Sequence, residues 1–200
     1  MQRLIPTGDA ARPVAFAEVA QPVPEPGEAL IKVQAFAPNR GETFLLENPR
    51  PELLPGKDIA GLVVQAAADG SGPGIGTRVV GHPAQGGWTE YASVPTHSLA
   101  VLPDGIDSAR AAALPLAGIT ALRLLRTAVS LAGRRVLLTG AYAGSPYGCD
   151  LAALVSLVEQ GRLHPEISSI AGWAQTADTL VDLRERRIRG KAVLLTGGAR

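Results

Sequence analysis

The sequence is poor in cysteine, in aromatic residues and in any excess of charge of one sign. Of 200 residues one is a cysteine, 4% are aromatic, and 19 Lys plus Arg stand against 18 Asp plus Glu. The single cysteine, Cys149, excludes an intramolecular disulfide and a zinc site built from cysteines. The near balance of charge excludes a protein that binds nucleic acid through bulk positive charge.

Long hydrophobic runs are also missing. No stretch reaches the roughly 18 apolar residues that a membrane-spanning helix needs, and the first fifteen residues lack the apolar core of a secretion signal. With 46% apolar residues the chain still has enough core to bury roughly 70% of its unfolded surface. We therefore expect a soluble, cytoplasmic protein that has neither a membrane nor a nucleic acid as a partner.

The character of the sequence changes near Pro103. Before it, short runs punctuated by proline and glycine predict β-structure, and residues 28–37 alternate apolar and polar side chains as a half-buried strand does. We also expect strands over 59–67, 77–81, 89–94 and 98–102. Several short strands joined by turns favour a barrel or a sandwich.

Beyond that point, helical patterns alternate with two strands. Ser108 is predicted to cap a first helical turn, and Pro115 interrupts that helix or opens a second one, which Gly133 ends. Asp150 is predicted to cap a later helix that stops at Gly161. The remaining expected elements are a buried strand over 134–139, a helix over 176–188 and a final strand over 192–196.

Six stretches of the amino-acid sequence resemble motifs of one protein family. They are residues 24–39 (PEPGEALIKVQAFAPN), 54–63 (LPGKDIAGLV), 86–95 (GGWTEYASVP), 102–122 (LPDGIDSARAAALPLAGITAL), 157–167 (LVEQGRLHPEI) and 183–194 (LRERRIRGKAVL). In this order they resemble the zinc-independent quinone oxidoreductases of the medium-chain dehydrogenase/reductase superfamily. The resemblance implies a mainly β fold with flanking α-helices, a GroES-like β-barrel, into which the family inserts a Rossmann domain that binds NADPH.

Within this resemblance the Rossmann domain is essentially absent. The strand RRVLLTGA looks like its first strand, and Gly140, Ala141 and Gly144 look like the opening of the family's A-x-x-G-x-x-G cofactor loop, but the next glycine is delayed to Gly148. Independently of the family, nine residues separate Gly140 from Asp150. A doubly wound domain of six strands needs on the order of 120 residues.

These observations predict three segments. Residues 1–133 form the N-terminal part of the GroES-like catalytic domain with connecting helices, 134–149 form a residual first Rossmann strand and a junction, and 150–200 return to the catalytic domain. We interpret the gap as a domain deletion, engineered, with its junction at the GSPYG stretch. It predicts lost or severely weakened NADPH binding, and either a monomer or self-association through the surface of residues 114–129 that the deletion uncovers.

The resemblance also implies where the cofactor would lie. The positions that match the catalytic zinc ligands of zinc-dependent relatives are Asn39, Lys57 and Leu116, and neither a protonated lysine nor a leucine binds a metal, so no zinc is expected. Asn39 resembles the residue beside the nicotinamide, unless it caps a turn. Thr120 resembles a contact to the nicotinamide ribose or ring, unless its hydroxyl bonds its own helix. The cofactor-binding residues implied are Asn39, Thr120, Gly140, Ala141 and Gly144.

On the acceptor side, Phe44 and Trp88 are candidates for an apolar wall against a planar substrate, although Trp88 in its GGW turn suits the core equally well. The catalytic candidates are Asn39 and, as a proton donor, Tyr91. Asp58 is expected to accept backbone amides in its own turn. The other charged or titratable residues are interpreted as solvated surface or loop groups; these are Arg40, Glu42, His82, His97, His164 and the basic cluster that includes Arg184 and Lys191.

Two functions of different classes remain open. One is the catalytic domain of an NADPH-dependent reductase that transfers hydride to a quinone or an α,β-unsaturated carbonyl, here truncated and deficient in cofactor binding. The other is a non-enzymatic β-barrel scaffold or binding module derived from the same family. In the first, the partner is a small-molecule quinone or enone.

Overall fold

The structure is a computed structural model, and it describes residues 1–127 and 146–197. Its strands are β1 (Gln2–Pro6), β2 (Val14–Glu18), β3 (Glu28–Phe36), β4 (Ile59–Gln65), β5 (Arg78–Gly81), β6 (Tyr91–Pro95), β7 (Leu99–Val101), β8 (Ile167–Gly172) and β9 (Lys191–Leu195). Its helices are α1 (Arg40–Leu45), α2 (Ser108–Ala112), α3 (Pro115–Thr127), α4 (Gly148–Glu159) and α5 (Thr176–Arg184). One-turn 3-10 helices, Thr96–Ser98 and Trp173–Gln175, precede β7 and α5.

The long strand β3 organises the main sheet. It pairs with β4 along one edge, while its other edge pairs first with β6 and then, at its last two residues, with β9. The sheet continues from β4 through β5 to β7 and from β9 to β8; β8 and β9 are parallel, and the other pairs are antiparallel. A separate hairpin, β1–β2, joins this layer where Leu4 N donates to Trp88 O at 2.9 Å. Strands and helices take similar shares of the described residues, and the sheet with its flanking helices confirms the predicted GroES-like fold class.

Each face of the main sheet covers a hydrophobic core. On one face, Phe36 stacks on Trp88 with ring centroids 5.9 Å apart, and the hairpin and α5 close the layer. On the other face, α2, α3 and α4 pack residues such as Ile119 and Leu151. A strict alternation would put Val33 and Ala35 in the same core, but they lie in different cores because a register shift between them reverses the faces of β3.

Three predicted helix ends are wrong. Asp107, not Ser108, caps α2, because its carboxylate accepts the backbone N–H of Arg110 at 2.8 Å. Asp150 lies inside the first turn of α4 rather than at its cap. The helix expected to reach residue 188 ends at Arg184, and Arg186 then takes a left-handed φ of 61°, which a helix cannot continue through.

Asp150 has a different role from capping. Its carboxylate, which is buried, pairs with Arg123 and Arg126 of α3 at 2.5 Å each. These ion pairs bind α4 to the end of α3. The end of the helix predicted at Gly133, the strand predicted over 134–139 and the loop residues Gly140, Ala141 and Gly144 lie outside the described residues.

The closest approach of β4 to β3 allows a test of the packing. A methyl group on Gly61 would lie 2.1 Å from the Lys32 carbonyl oxygen, which is backbone and cannot move aside cheaply. We expect Gly61→Ala to lower the free energy of unfolding by about 1 to 3 kcal/mol through overpacking, measured by urea denaturation. The control is Gly74→Ala, where a new methyl meets nothing within 4 Å. Equal stabilities of the two variants would contradict the described register.

Candidate active site

The strand register gathers four polar side chains at one end of the main sheet. Asp58 directly precedes β4, and extending the β4–β5 register by one residue places it opposite His82. Extending the β3–β9 register by three residues places Asn39 opposite Lys191. Because β3, β4, β5 and β9 are neighbours, these four residues, here called the Asp58 cluster, meet across adjacent strands.

Asp58 is the centre of this cluster and is fully buried. Its Oδ1 accepts the backbone N–H of Leu116 at 3.0 Å and bonds His82 Nδ1 at 3.1 Å, while its Oδ2 accepts Asn39 Nδ2 at 2.9 Å and Lys191 Nζ at 3.0 Å. Burial alone raises the pKa of a carboxyl, but the charge of Lys191 and the bonds from His82 and Asn39 outweigh it, so the pKa of Asp58 lies below its ordinary value. The cluster therefore holds a carboxylate, not a carboxylic acid.

Lys191 fixes the orientation of Asn39. The ammonium donates to Asn39 Oδ1 at 2.8 Å, and the Asn39 amide nitrogen faces Asp58, so both ends of the amide are assigned by their partners. Asn39 also stands at the N-cap position of α1. The two alternatives considered for Asn39 are thus compatible: it begins a helix and belongs to a polar site.

Glu42 is buried, so its interpretation as a solvated loop charge is wrong. Its Oε1 accepts the Gly56 N–H at 2.9 Å and its Oε2 accepts the Asn39 N–H at 2.8 Å. Burial and then the charge of Asp58 raise the pKa of Glu42 to about 7. The Asn39-x-x-Glu42 spacing of a capping box is the sequence signal that would have found it.

His82 lies in the loop that follows β5, as one of its two interpretations predicts, but it is not a surface residue. Its ring is buried between Asp58 and the edge of the Tyr147 ring, whose centroid lies 4.7 Å away. Tyr147 stands at the start of α4. His82 thus connects the Asp58 carboxylate to the start of α4.

The other predicted site residues are not brought into the cluster. Thr120 lies one turn along α3 from Leu116, half-buried. Tyr91 pairs with Lys32, four residues before the end of β3, which is about 13 Å along the strand from that end. Trp88 has no exposed surface and occupies the core, as its GGW turn also allows.

Phe44 is exposed and lines a surface cavity. The Arg184 guanidinium lies 4.0 Å from the centroid of its ring and that of Arg40 5.1 Å from it. The cavity measures about 520 Å³ and is lined by Phe44, Leu45, Asn48, Arg50, Glu52, Leu53 and Gln85. A smaller cavity of about 150 Å³ shares Leu45, Leu53 and Gln85 with it and reaches Glu42. The two guanidinium groups lie against the Phe44 ring and neither arginine lines this cavity, so the role of Phe44 as an apolar wall stays a prediction.

Residues 1–127 and 146–197 contain neither a metal-binding cluster nor a membrane-spanning helix. No group of three or more His, Cys, Asp or Glu side chains there is arranged to hold a metal ion. In the same residues no helix combines the length and the apolar character needed to cross a bilayer.

The comparison with known proteins agrees with this architecture. The family model of the alcohol dehydrogenase GroES-like domain matches residues 25–104. The quinone oxidoreductases of Lama guanicoe and Homo sapiens are 37% and 34% identical to the chain over 134 residues, which is 64% of this chain and 41% of each relative. These matches support a quinone oxidoreductase-like, GroES-like domain of the medium-chain dehydrogenase/reductase type. The matched part spans about two fifths of the length of these relatives.

Solved structures show the same fold for the quinone oxidoreductase-like chain. A mycobacterial quinone oxidoreductase superposes with a TM-score of 0.80 at 17% identity, over 97% of this chain and 99% of that one. The Escherichia coli quinone oxidoreductase complexed with NADPH has a TM-score of 0.57 at 25% identity, over 63% and 40% of the two chains. A cobalt- and zinc-bound alcohol dehydrogenase from Pyrobaculum aerophilum has a TM-score of 0.80 at 17% identity, covering 98% of this chain and 99% of that one.

Proposed function

We propose that this quinone oxidoreductase-like chain is the catalytic domain of a zinc-independent, NADPH-dependent reductase whose acceptor is a quinone or an α,β-unsaturated carbonyl. The observation that carries the proposal is the ammonium of Lys191, held 2.8 Å from Asn39 Oδ1 and 3.0 Å from Asp58 Oδ2 at the position where the family resemblance puts the catalytic site. A fixed cation beside an oriented amide is suited to polarise a carbonyl oxygen.

The same arrangement supports chemistry without zinc. Of the positions that match the zinc ligands of relatives, Asn39 uses its amide oxygen to accept Lys191, and Leu116 contributes a backbone N–H. The third, Lys57, is half-buried and carries a positive charge of its own. A divalent cation placed here would meet ammonium groups where it needs electron-pair donors.

The described residues do not fit a whole dinucleotide. In residues 1–127 and 146–197 one parallel pair occurs, β8 and β9, and the turn that leads from β8 towards α5 reads Gly172, Trp173, Ala174, without the glycine pattern that cradles a pyrophosphate. Asn39 and Thr120 would serve the nicotinamide end alone. We propose the segment limits 1–133, 134–149 and 150–200 on this basis, with the Rossmann domain deleted and NADPH bound weakly or not at all.

A hydride donor without the adenosine half tests this proposal. We expect 1-benzyl-1,4-dihydronicotinamide to reduce a quinone in the presence of the protein with a kcat/KM within about tenfold of that of NADPH, because the remote contacts that favour NADPH in intact enzymes are missing. The measurement is the initial rate of loss of dihydronicotinamide absorbance, corrected for the spontaneous reaction with the same concentration of heat-denatured protein.

The two functional classes give different outcomes. A rate above the spontaneous reaction with both donors supports the catalytic domain. Rates equal to the spontaneous one with both donors would assign the chain to the alternative, a scaffold or binding module. A preference for NADPH of several hundredfold would show that the chain builds a nucleotide site and would contradict the cofactor deficiency.

A further inference from the structure

The hydrogen-bonding capacity of Lys191 is not fully used. An ammonium group has three N–H donors and no acceptor. Within the described residues, Nζ has two partners, Asn39 Oδ1 and Asp58 Oδ2. Because these two acceptors take two of the three N–H groups, one N–H of Lys191 can donate to a further oxygen.

Lys191 also lies at the open end of the Asp58 cluster. Its side chain keeps 13% of its surface exposed, whereas the Asp58 side chain keeps none and that of His82 keeps 6%. Asn39, a member of the cluster, and Leu116, whose backbone N–H Asp58 accepts, are half-buried. Lys191 is therefore the more exposed member of the buried ion pair, while the carboxylate that holds its ammonium has no exposed surface.

The negative charge of Asp58 does not occupy the third N–H of Lys191. The carboxylate divides its two oxygens among four donors, the amide of Asn39, the backbone N–H of Leu116, His82 and Lys191 itself. Its role is to hold the ammonium at a set position so that little reorganisation is needed when a ligand arrives. An unpaired lysine with a flexible side chain would lose conformational entropy when it bound the same ligand.

We propose that Lys191 binds the carbonyl oxygen of the acceptor through its third N–H and stabilises the oxyanion form of the reduced product. The inference rests on the proposed function, which supplies the acceptor class. When a quinone accepts a hydride on one carbonyl oxygen, or an enone accepts it on its β-carbon, the dihydronicotinamide is oxidised and an electron pair of the conjugated system moves to the other quinone oxygen or to the enone oxygen, which becomes a phenolate or an enolate. A charge-assisted hydrogen bond strengthens as that charge develops, so the contact favours the reduced state over the neutral acceptor.

A stable phenolate tests the site without any hydride transfer. We use 2,4-dinitrophenol, which is ionised at neutral pH, and un-ionised phenol as the neutral probe, and measure both affinities by calorimetry at one pH and ionic strength. We expect the wild-type protein to bind the phenolate in preference to phenol. Lys191→Met should weaken phenolate binding at least about tenfold and leave phenol binding unchanged. The control Lys32→Met removes an equal charge from the exposed face of β3 and should change neither affinity.

The outcomes separate a ligand contact from a structural one. Equal phenolate binding by wild type and Lys191→Met, or no binding by wild type, would overturn the inference, as would a parallel loss of both probes in a folded variant. If Lys191→Met does not fold, Lys191→Arg takes its place, because arginine keeps the positive charge but not the compact ammonium donor. We expect Lys191→Arg to bind the phenolate about fivefold more weakly and phenol equally well. An unchanged phenolate affinity of this variant would count against the proposal. Because the assay contains no hydride donor, its result does not depend on whether quinone reduction is observed.

Discussion

Asp58→Ala should lower the free energy of unfolding by about 3 to 5 kcal/mol, the largest effect expected of any substitution considered for this chain. The carboxylate is fully buried and accepts four hydrogen bonds. Its removal leaves the charge of Lys191 without its counter-ion and leaves the Leu116 N–H, at the start of α3, without an acceptor. Because the partners come from four different parts of the chain, the loss should be global and not confined to one loop.

Urea denaturation followed by circular dichroism measures this effect. Asp104→Ala is the matched control, because Asp104 is exposed and its side chain has no ion pair among the described residues. We expect that control to lie within about 0.5 kcal/mol of the wild type. A double variant, Asp58→Asn with Lys191→Met, removes both charges together and should be less destabilised than Asp58→Ala. If Asp58→Ala matched Asp104→Ala, the buried cluster would not exist as described.

The second large effect is a fall in stability with rising pH that depends on Glu42. Its pKa is about 7 in the folded protein against an ordinary 4.5, so folding favours the protonated acid. The stabilisation from this group is complete below the unfolded pKa and is lost as the pH rises through about 7. Between pH 5 and pH 8 we expect the free energy of unfolding to decrease by about 2 kcal/mol on this account. The pKa of Asp58 is lowered, so its contribution to the free energy of unfolding is lost as the pH falls, and only below its ordinary pKa of 3.8.

Glu42→Gln isolates that contribution. The glutamine side chain has nearly the volume of glutamate and is uncharged at every pH. The free energy of unfolding of this variant should therefore not decrease between pH 5 and pH 8. Glu159→Gln, at an exposed position at the end of α4, should keep it. The measurement is a series of urea melts at half-unit pH steps. A slope that survives in Glu42→Gln would assign the pH dependence to other groups.

Much of the fold could be predicted because its strands and helices carry strong local signals. The alternation in residues 28–37 predicts β3, and Pro115, with Ile119 buried four residues later, marks the start of α3. Gly161 ends α4 with a left-handed φ of 67°, as its position after the helix predicts. The strand β8 was missed because its sequence, ISSIAG, is mostly small or polar and is largely exposed, so it carries no hydrophobic periodicity.

The site was harder to predict because its members are far apart in sequence. Lys191 and Asp58 are 133 residues apart, and Lys191 stands next to a run of arginines that marks a solvated helix end. Asp58 does accept a backbone amide, as predicted, but that of Leu116, 58 residues away, rather than one in its own turn. Only the sheet register, which places Asn39 opposite Lys191 and Asp58 opposite His82, brings these residues together. The pairing of strands that are distant in sequence cannot be read from local sequence patterns.

We propose that the chain keeps the acceptor side of a reductase without the nucleotide side. A calorimetric titration with NADPH tests it most directly, with the fluorescence of the two buried tryptophans, Trp88 and Trp173, as an independent signal and NADH as the control. We expect no saturation up to millimolar cofactor. Saturable binding in the micromolar range, with a preference for NADPH over NADH, would contradict it.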